Sequence, residues 1–298
     1  MTSLKCYLCI LGATLFWGVS ATVAKFLFTQ HVDTLVLVQM RMTLSCIILL
    51  AIFLLFRRDL LYVRLRDLYR FALLGIFGMA GSNFTYYFTI EQTNVATAIL
   101  LQYMAPLMVL IYAAVSGDEE LQFGKIAAVV VSLGGCFLAV AGKDFSLLHI
   151  SRLGLISGIL SAFCWGFTNV WLRRILKDYT MWTVLIYAFI FASIFWMFFN
   201  PPWKIAAVGY TAEQWQTFFL FAVISILIPH LLYFSGVRSL TASRAIITAT
   251  SEPIIAIATA FIFLHENLML VQIVGAVLVV VAIAILQIKE DVQREEIP

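Results

Sequence analysis

Long stretches without a charged residue divide this sequence more clearly than any motif does. Eight such stretches between successive Asp, Glu, Lys or Arg residues are 17 to 26 residues long. An α-helix needs about 20 apolar residues to cross the hydrocarbon core of a bilayer. Two further stretches, 34–56 and 245–265, reach this length if one internal charge is allowed in each, Arg41 and Glu252. The pattern predicts ten membrane-spanning helices, which we number spans 1 to 10.

The composition supports this interpretation and excludes a soluble protein. Of the 298 residues, 63% are hydrophobic and 12% are charged, and the mean hydropathy is +1.00. A nucleic-acid-binding protein needs a concentrated basic surface, which a net charge of +3 does not supply. The first apolar stretch continues as a full-length span, so we expect it to be retained as a helix and not cleaved as a signal peptide.

The positions of Lys and Arg predict the orientation under the positive-inside rule. With the N-terminus in the cytoplasm, the inner segments carry 14 of the 19 basic residues and the outer segments four, while Arg41 lies in span 2. We therefore expect both termini in the cytoplasm. The arginines between residues 57 and 70 then lie beside anionic lipid. Membrane lipid is thus an expected partner, and nucleic acid is not.

The two halves of the chain repeat one another at a nearly constant offset. Trp17-Gly18 returns as Trp165-Gly166 after 148 residues. Three matches share an offset of 147, namely Tyr86 with Tyr233, Pro106 with Pro253, and Glu119 with Glu266. Because each half has an odd number of spans, the second half enters the membrane from the opposite side. Such inverted repeats are typical of secondary transporters, in which two half-bundles alternately expose a site near the midplane.

Arg41 and Glu252 are charged residues placed well inside predicted spans. Each costs at least ~2.5 kcal/mol at the bilayer centre unless it faces a cavity or a partner. Each lies eight residues from a charge near one end of its span, Asp33 or Arg244, which is about 12 Å along a helix. The two can therefore meet, or nearly meet, at mid-membrane. We expect them to act in gating or coupling; structural support of a kinked helix and direct binding of solute or proton are both open.

Pro106 and Pro253 hold matched positions in spans 4 and 9. Proline removes an amide donor and crowds the carbonyl four residues earlier, here at Gln102 and Ala249. A freed carbonyl in a bilayer must find a partner in protein, water or ligand. We predict a kink in each span, a cavity beside the kinks, and a gating role for both prolines.

Polar and aromatic side chains inside the spans form the candidate solute site. The predicted contacts are Trp17, Asn83, Tyr86, Tyr87, Gln102, Tyr103, Trp165, Asn169, His230 and Tyr233. His230 corresponds to Asn83 at the offset of 147, so the halves place different polar groups at matched depth. An imidazole titrates near neutral pH, which makes the proton a candidate coupling ion. A hydrogen-bonded packing histidine is the alternative.

These features occur in an order that resembles a known family. They are the Trp-Gly pairs of spans 1 and 6, Arg41, Tyr86-Tyr87, Pro106 with Glu119, Ser251-Glu252-Pro253, and His265-Glu266 followed by Gly275. Over nearly its whole length the chain resembles a ten-helix, EamA-type member of the drug/metabolite transporter superfamily. The resemblance implies a 5+5 inverted repeat, a central cavity and transport of small organic metabolites, often outward.

The sequence therefore predicts an all-α integral membrane protein that works as a secondary transporter by alternating access. The expected solute is a small organic metabolite such as an amino acid or a related compound, and the expected direction is export. Multidrug efflux and an uncoupled facilitator or channel are the alternatives. An intramembrane enzyme is the least favoured, because the chain has no H-E-x-x-H or G-x-S-x-G motif. We expect no catalytic residue, cofactor or metal site.

The expected domain division follows the repeat. Residues 1–142 form the first five-helix repeat, 143–152 a linker, 153–288 the second five-helix repeat, and 289–298 a cytoplasmic tail. We expect a multi-pass protein of the plasma membrane, the inner membrane in a bacterium, that works as a monomer.

Overall fold

The computed structural model consists of helices and short connections, with no β-strand in the residues that it describes, which are 3–29, 32–93, 95–117, 122–141, 151–255, 258 and 269–295. In chain order the helices are α1 Ser3–Thr29, α2 Thr34–Phe56, α3 68–92, α4 Val95–Gln102, α5 Ala105–Ser116, α6 Phe123–Ala141, α7 Arg152–Ile175, α8 Met181–Phe199, α9 Pro202–Ala207, α10 212–237, α11 Ala242–Ala249 and α12 Leu270–Glu295. Short 3-10 turns at Arg58–Leu61 and Leu65–Asp67 connect α2 to α3. Every predicted span thus contains helix. Glu119, His265, Glu266 and most of the predicted linker lie outside the described residues.

Five helical segments of the described chain are long and apolar enough to cross a membrane. They are Thr34–Phe56, Thr97–Ser116, Arg152–Ile175, Met181–Phe199 and Ala212–Val237. Three shorter apolar stretches lie at Leu4–Ser20, Phe123–Ala139 and Leu270–Ile285. Lipid offers the main chain no hydrogen-bond partner, so such stretches satisfy their own amides by forming helices.

Side chains that accept a hydrogen bond from the first turn fix where several helices begin. The Asp33 carboxylate accepts from the amide of Val36 at 3.0 Å, and the Ser151 hydroxyl accepts from that of Gly154 at 3.0 Å. Thr180, Thr211 and Thr241 cap α8, α10 and α11 in the same way. These caps satisfy amides that have no partner within the helix.

Helices of the first half pack against helices of the second half, and the predicted repeat relates these pairs to one another. α1 packs against the second part of α10, and α3 packs against α7, which is the same pairing with the halves exchanged. α2 packs on α8, α5 on α11, and α6 on α12, each joining a span to its own counterpart. Small residues allow this close approach, because a Cβ on Gly135 would lie 2.8 Å from the main-chain oxygen of Gly275. Under the predicted repeat, each of these helix pairs therefore corresponds to itself or to another pair in this set.

A π-helical segment interrupts the same helix in each half. α3 is π-helical over Leu74–Gly81, and α10 over Val223–Leu227. Shifted by 147 residues, the first segment covers the second. π-Helical turns are rare and occur often at functional sites. Here they end two residues before Asn83 and three residues before His230.

Spans 4 and 9 are broken where the prolines predict kinks. A turn at Tyr103-Met104 separates α4 from α5, and Pro106 lies in the first turn of α5. A turn at Thr250-Ser251 ends α11, and the helical turn at 252–255 that follows contains Pro253. At each predicted kink the regular helix is thus interrupted by a two-residue turn.

Candidate functional site

A cavity lies between the two halves, beside both helix breaks. The volume open to water within it is about 60 Å³, which is room for a few water molecules in this conformation. Its lining residues are Trp17, Ser20, Arg41, Ser82, Asn83, Tyr86, Tyr87, Gln102, Tyr103, Trp165, His230 and Glu252. Ten of these twelve are residues that the sequence predicted for solute binding, gating or coupling. The fold thus brings together side chains from α1, α2, α3, α7 and α10 and from the two helix breaks.

Two predicted solute contacts, Asn169 and Tyr233, lie behind the lining. Both are fully buried, and the hydroxyl of Tyr233 donates a hydrogen bond to Oδ1 of Asn169. The amide of Asn169 donates to the main-chain oxygen of Trp165 at 2.8 Å, and the ring of Tyr233 packs 5.2 Å from that of Trp165. Tyr233 thus packs against the ring of Trp165, and Asn169 holds the hydroxyl of Tyr233.

Ser20 and Ser82 also line the cavity, and neither was predicted from the sequence. Ser20 follows Trp17 by three residues, so helical spacing places both on one face of α1. Its hydroxyl donates to the main-chain oxygen of Trp17 at 2.9 Å. Ser82 is the neighbour of Asn83, but a lone serine in a span is usually a packing residue, and no stronger signal marks it.

Arg41 is the cation of the cavity, and its side chain is held by neutral groups. Nη1 donates to the hydroxyl of Tyr87, and Nη2 donates to Oδ1 of Asn83 at 2.6 Å. The guanidinium carbon also lies 4.5 Å from the ring centre of Tyr87 and 5.5 Å from that of Phe221. Asn83 is held in turn, because its amide donates to the main-chain oxygen of Met79 at 2.8 Å. Asn83 therefore positions Arg41.

The charge of Arg41 is not balanced by the described part of the protein. Arg41 is 3% exposed and forms no ion pair with a carboxylate of the described residues, and its Nε lies buried without a hydrogen-bond partner. Glu252 lines the same cavity, yet the two side chains do not form an ion pair. The site can therefore accept an anion at Arg41.

Aromatic rings from both halves form one wall of the cavity. Trp17 contacts the repeat-related Trp165 edge to face at 5.5 Å and the ring of His230 at 5.3 Å. Nδ1 of His230 lies 2.8 Å from the main-chain oxygen of Ile226. Since a carbonyl oxygen only accepts, Nδ1 carries a proton, and in the neutral form of the ring Nε2 is an acceptor. The wall thus offers apolar faces and one acceptor nitrogen.

Tyr103 connects the two helix breaks. Its hydroxyl oxygen lies 2.8 Å from the main-chain oxygen of Ala249 and 2.8 Å from Oε2 of Glu252. Ala249 is the residue whose carbonyl Pro253 deprives of its helical donor, so Tyr103 is the protein partner that this carbonyl requires. Nearby, the hydroxyls of Thr14 and Ser251 are hydrogen bonded at 2.9 Å. Both contacts join the first half of the chain to the break in the second.

Away from the cavity, a polar cluster joins the start of α3 and the turn before it to the connection after α7. Nη1 of Arg70 lies 2.6 Å from Oδ2 of Asp178, and the hydroxyl of Tyr179 donates to Oδ2 of Asp67 at 2.6 Å. The hydrogen bond from Tyr179, with the nearby positive charge of Arg70, holds the pKa of Asp67 below its usual value. The cluster ties together segments from both halves.

Known proteins match both halves of the chain. The EamA-like transporter family matches residues 4–141 and again residues 152–288. The uncharacterized inner membrane transporter YicL of Salmonella typhimurium is 25% identical over 284 residues, 94% of each chain. The threonine/homoserine exporter RhtA of Salmonella typhimurium is 26% identical over 207 residues, 68% of this chain and 66% of that protein. A crystal structure that is 16% identical superposes with a TM-score of 0.73, covering 94% of this chain and 97% of its own, so the fold is a known one.

Proposed function

Because this chain belongs to the EamA-like transporter family and is a multi-pass protein of the bacterial inner membrane, we propose that it is a secondary transporter for a small amphipathic carboxylate. An amino acid or a close relative of one is the proposed solute class, and export is the proposed direction. The solute binds in the cavity between the two halves, which expose it to one side of the membrane at a time. No cofactor is required.

The observation that carries this proposal is the unbalanced charge of Arg41. A buried charge without a partner is costly, and the chain supplies no carboxylate to it within the described residues. A guanidinium binds a carboxylate through two parallel hydrogen bonds. A solute carboxylate would provide the missing counter-ion and a partner for Nε. The cost of burying Arg41 then becomes a source of affinity for the solute.

The aromatic wall and His230 suit the remainder of an amino acid. The faces of Trp17 and Trp165 accept an apolar side chain or, by a cation–π interaction, an ammonium group. Nε2 of His230 can accept a hydrogen bond from that ammonium group or from a side-chain hydroxyl. The relative named for export of threonine and homoserine supports the same solute class.

For the architecture we propose ten spans in a 5+5 inverted repeat, with both termini in the cytoplasm. The distribution of Lys and Arg, the exchanged helix pairs and the two family matches support it. Reporter fusions at residues 62, 178, 240 and 292 should register cytoplasm, and fusions at 92 and 207 the outside. A fusion at 292 that registers the outside would contradict the ten-span topology.

The helix breaks are the proposed moving parts. Pro106 and Pro253 keep the breaks from closing into continuous helix, and Tyr103 and the Thr14–Ser251 pair bridge from one half to the other. In the proposed cycle these bridges form on one side of the membrane and separate when the cavity opens there. Arg41 and Glu252 then couple occupancy of the cavity to that motion.

Solute-dependent thermal stabilisation of the purified protein tests the proposed solute class, because a ligand that binds only the folded state raises apparent stability. The solutes are threonine, homoserine and phenylalanine, each beside the amine that lacks its carboxylate: 1-aminopropan-2-ol, 3-aminopropan-1-ol and phenethylamine. We expect at least one amino acid to stabilise the protein and its amine not to. Equal stabilisation by an amine would contradict the carboxylate site and would instead favour multidrug efflux through the aromatic wall.

A further inference from the structure

The hydroxyl group of Tyr103 lies between two oxygen atoms but has one proton to give. Both the main-chain oxygen of Ala249 and Oε2 of Glu252 lie 2.8 Å from it. The carbonyl oxygen of Ala249 can only accept, and Pro253 has removed the amide that would otherwise donate to it. The hydroxyl of Tyr103 must therefore donate its proton in a hydrogen bond to the carbonyl oxygen of Ala249.

The contact between Tyr103 and Glu252 then needs a second proton. An ionised Glu252 would face the lone pairs of the phenolic oxygen at 2.8 Å. If it drew the phenolic proton instead, the carbonyl of Ala249 would be left without a donor. Each arrangement leaves a buried polar group unpaired, at a cost of about 1–3 kcal/mol. Glu252 is 7% exposed and forms no ion pair with a cation of the described residues, so its ionised form has no other compensation here.

From this count of protons we infer that Glu252 is a neutral carboxylic acid in this conformation and that it is the proton-carrying site of the transport cycle. Its O–H donates to Tyr103, whose O–H donates to the carbonyl of Ala249. The inference rests on the proposed function for its place in a cycle, but the protonation of Glu252 does not. The sequence alone offers both Glu252 and His230 as candidates for binding the coupling proton, and this inference assigns it to Glu252.

The chain of hydrogen bonds ties that proton to the helix break. When the break at Thr250-Ser251 moves away, Tyr103 loses the carbonyl of Ala249 as its acceptor. The phenol can then donate to Glu252, which stabilises the carboxylate. The O–H bond of the carboxylic acid breaks, its proton passes to water in the open cavity, and the electron pair stays on Glu252. Closing the break reverses each step, so one proton binds and leaves in each cycle.

The described groups around Glu252 come from several helices of both halves. The titratable and charged ones in the described part of the chain are Tyr103, Tyr86 and Tyr87 of α3, Cys136 of α6, His230 of α10 and Arg41 of α2. The thiol of Cys136 donates to the main-chain oxygen of Thr250 at 3.8 Å, so its hydrogen bond is to the break. α1 and α7 present Thr14 and Trp165, which do not titrate, and α12 packs Val279 and Ile283 toward Ile254. Among these described groups Arg41 carries the permanent charge, and it favours the loss of the proton once the break has moved.

Infrared difference spectroscopy on purified, solute-free protein at neutral pH tests the protonation directly. The difference between wild type and Glu252→Gln should contain the carbonyl band of a protonated carboxylic acid, because the amide of the variant replaces the acid without its charge. Carboxylate bands alone in that difference would overturn the inference. Tyr103→Phe should shift the acid band to higher frequency, since the acid loses its acceptor, and an unshifted band would contradict the Glu252–Tyr103 hydrogen bond. If Glu252→Gln does not fold, a pH titration of the wild-type acid band gives the same decision.

An alkaline pH jump tests the link to the helix break. Loss of the proton should change the intrinsic tryptophan fluorescence of wild type, because Trp17 and Trp165 line the same cavity. Glu252→Gln should lose that change. Ser157→Ala should keep it, because the hydroxyl of Ser157 is hydrogen bonded to Thr89 and does not line the cavity. An equal change in Glu252→Gln would overturn the inference. None of these measurements needs a transported solute. A negative result here would therefore leave the proposed function standing, and a failed solute test would leave the protonation of Glu252 standing.

Discussion

Replacing Arg41 with glutamine separates a solute-binding arginine from a structural one, because the two roles change stability in opposite directions. In the solute-free protein Arg41 is a buried charge with neutral partners, Tyr87 and Asn83, and with Nε unpaired. A glutamine can keep one of the two hydrogen bonds. The lost bond has a charged donor and costs about 1.5–3 kcal/mol, whereas an uncompensated buried ion carries a penalty of several kcal/mol. We therefore expect Arg41→Gln to leave the melting temperature unchanged or to raise it.

The affinity for the solute, in contrast, should fall in Arg41→Gln. Hydrogen bonds between charged groups contribute about 1.5–3 kcal/mol, and 1.4 kcal/mol corresponds to about a tenfold change in affinity. Arg41→Gln should thus weaken binding of a stabilising amino acid by about 10- to 100-fold. It should leave the binding of the corresponding amine nearly unchanged, since the amine lacks the group that Arg41 binds.

Thermal unfolding with and without the solute measures both effects in one assay. Arg70→Gln is the matched control, because Arg70 already has carboxylate partners in Asp178 at 2.6 Å and Asp67 at 3.7 Å. We expect this variant to be less stable than wild type and to bind the solute normally. If Arg41→Gln is destabilised as much as Arg70→Gln and keeps its affinity, Arg41 is a structural residue and the reasoning fails.

The helix breaks, the cavity and the polar cluster each give one further prediction. Combining Pro106→Ala with Pro253→Ala should leave folded protein but slow transport in proteoliposomes, since continuous helices would shift the balance between inward- and outward-facing states; a normal rate would remove the prolines from the mechanism. Asn83→Ala and His230→Ala should reorder the solutes ranked by thermal stabilisation, while Ser157→Ala should not; an unchanged order in both would move the solute site toward α11 and Glu252. Tyr179→Phe should lower stability at neutral pH, because the hydrogen bond to Asp67 favours the ionised carboxylate of the folded state. That loss should shrink as acid protonates Asp67 below its usual pKa, and a difference that persists in acid would show that the hydroxyl acts without the charge.

The positions of the helices were predictable because the bilayer selects for length and apolarity. The charge-free stretch 34–56, for example, coincides with α2 Thr34–Phe56. Most of the cavity lining was predictable for a related reason, since polar and charged groups inside a span must avoid lipid. For Arg41, Asn83, Gln102 and Glu252 that rule is enough to predict a position between the halves.

The partners of those groups could not be derived from the sequence. A polar stripe on a helix identifies a face turned from lipid, but a neighbouring helix and an open cavity both satisfy that requirement. Asn169 accepts a hydrogen bond from Tyr233 outside the cavity lining. Asn83, in the other half, accepts one from Arg41 within the lining. The equal depth of Arg41 and Glu252 suggested that they could meet, yet Glu252 contacts Tyr103 instead. That contact joins residues 149 positions apart, and only the packing of the helix breaks determines it.

Solute counterflow in proteoliposomes tests most directly the central claim that the cavity between the halves is the site of a carrier. Vesicles are loaded with a high concentration of the stabilising amino acid and diluted into a trace of the radiolabelled form. A carrier that exposes one site alternately to the two sides should accumulate label transiently above its equilibrium level, and Arg41→Gln should abolish the overshoot. Label that only equilibrates, without an overshoot, would show a pore, and an undiminished overshoot in Arg41→Gln would place the solute outside this cavity.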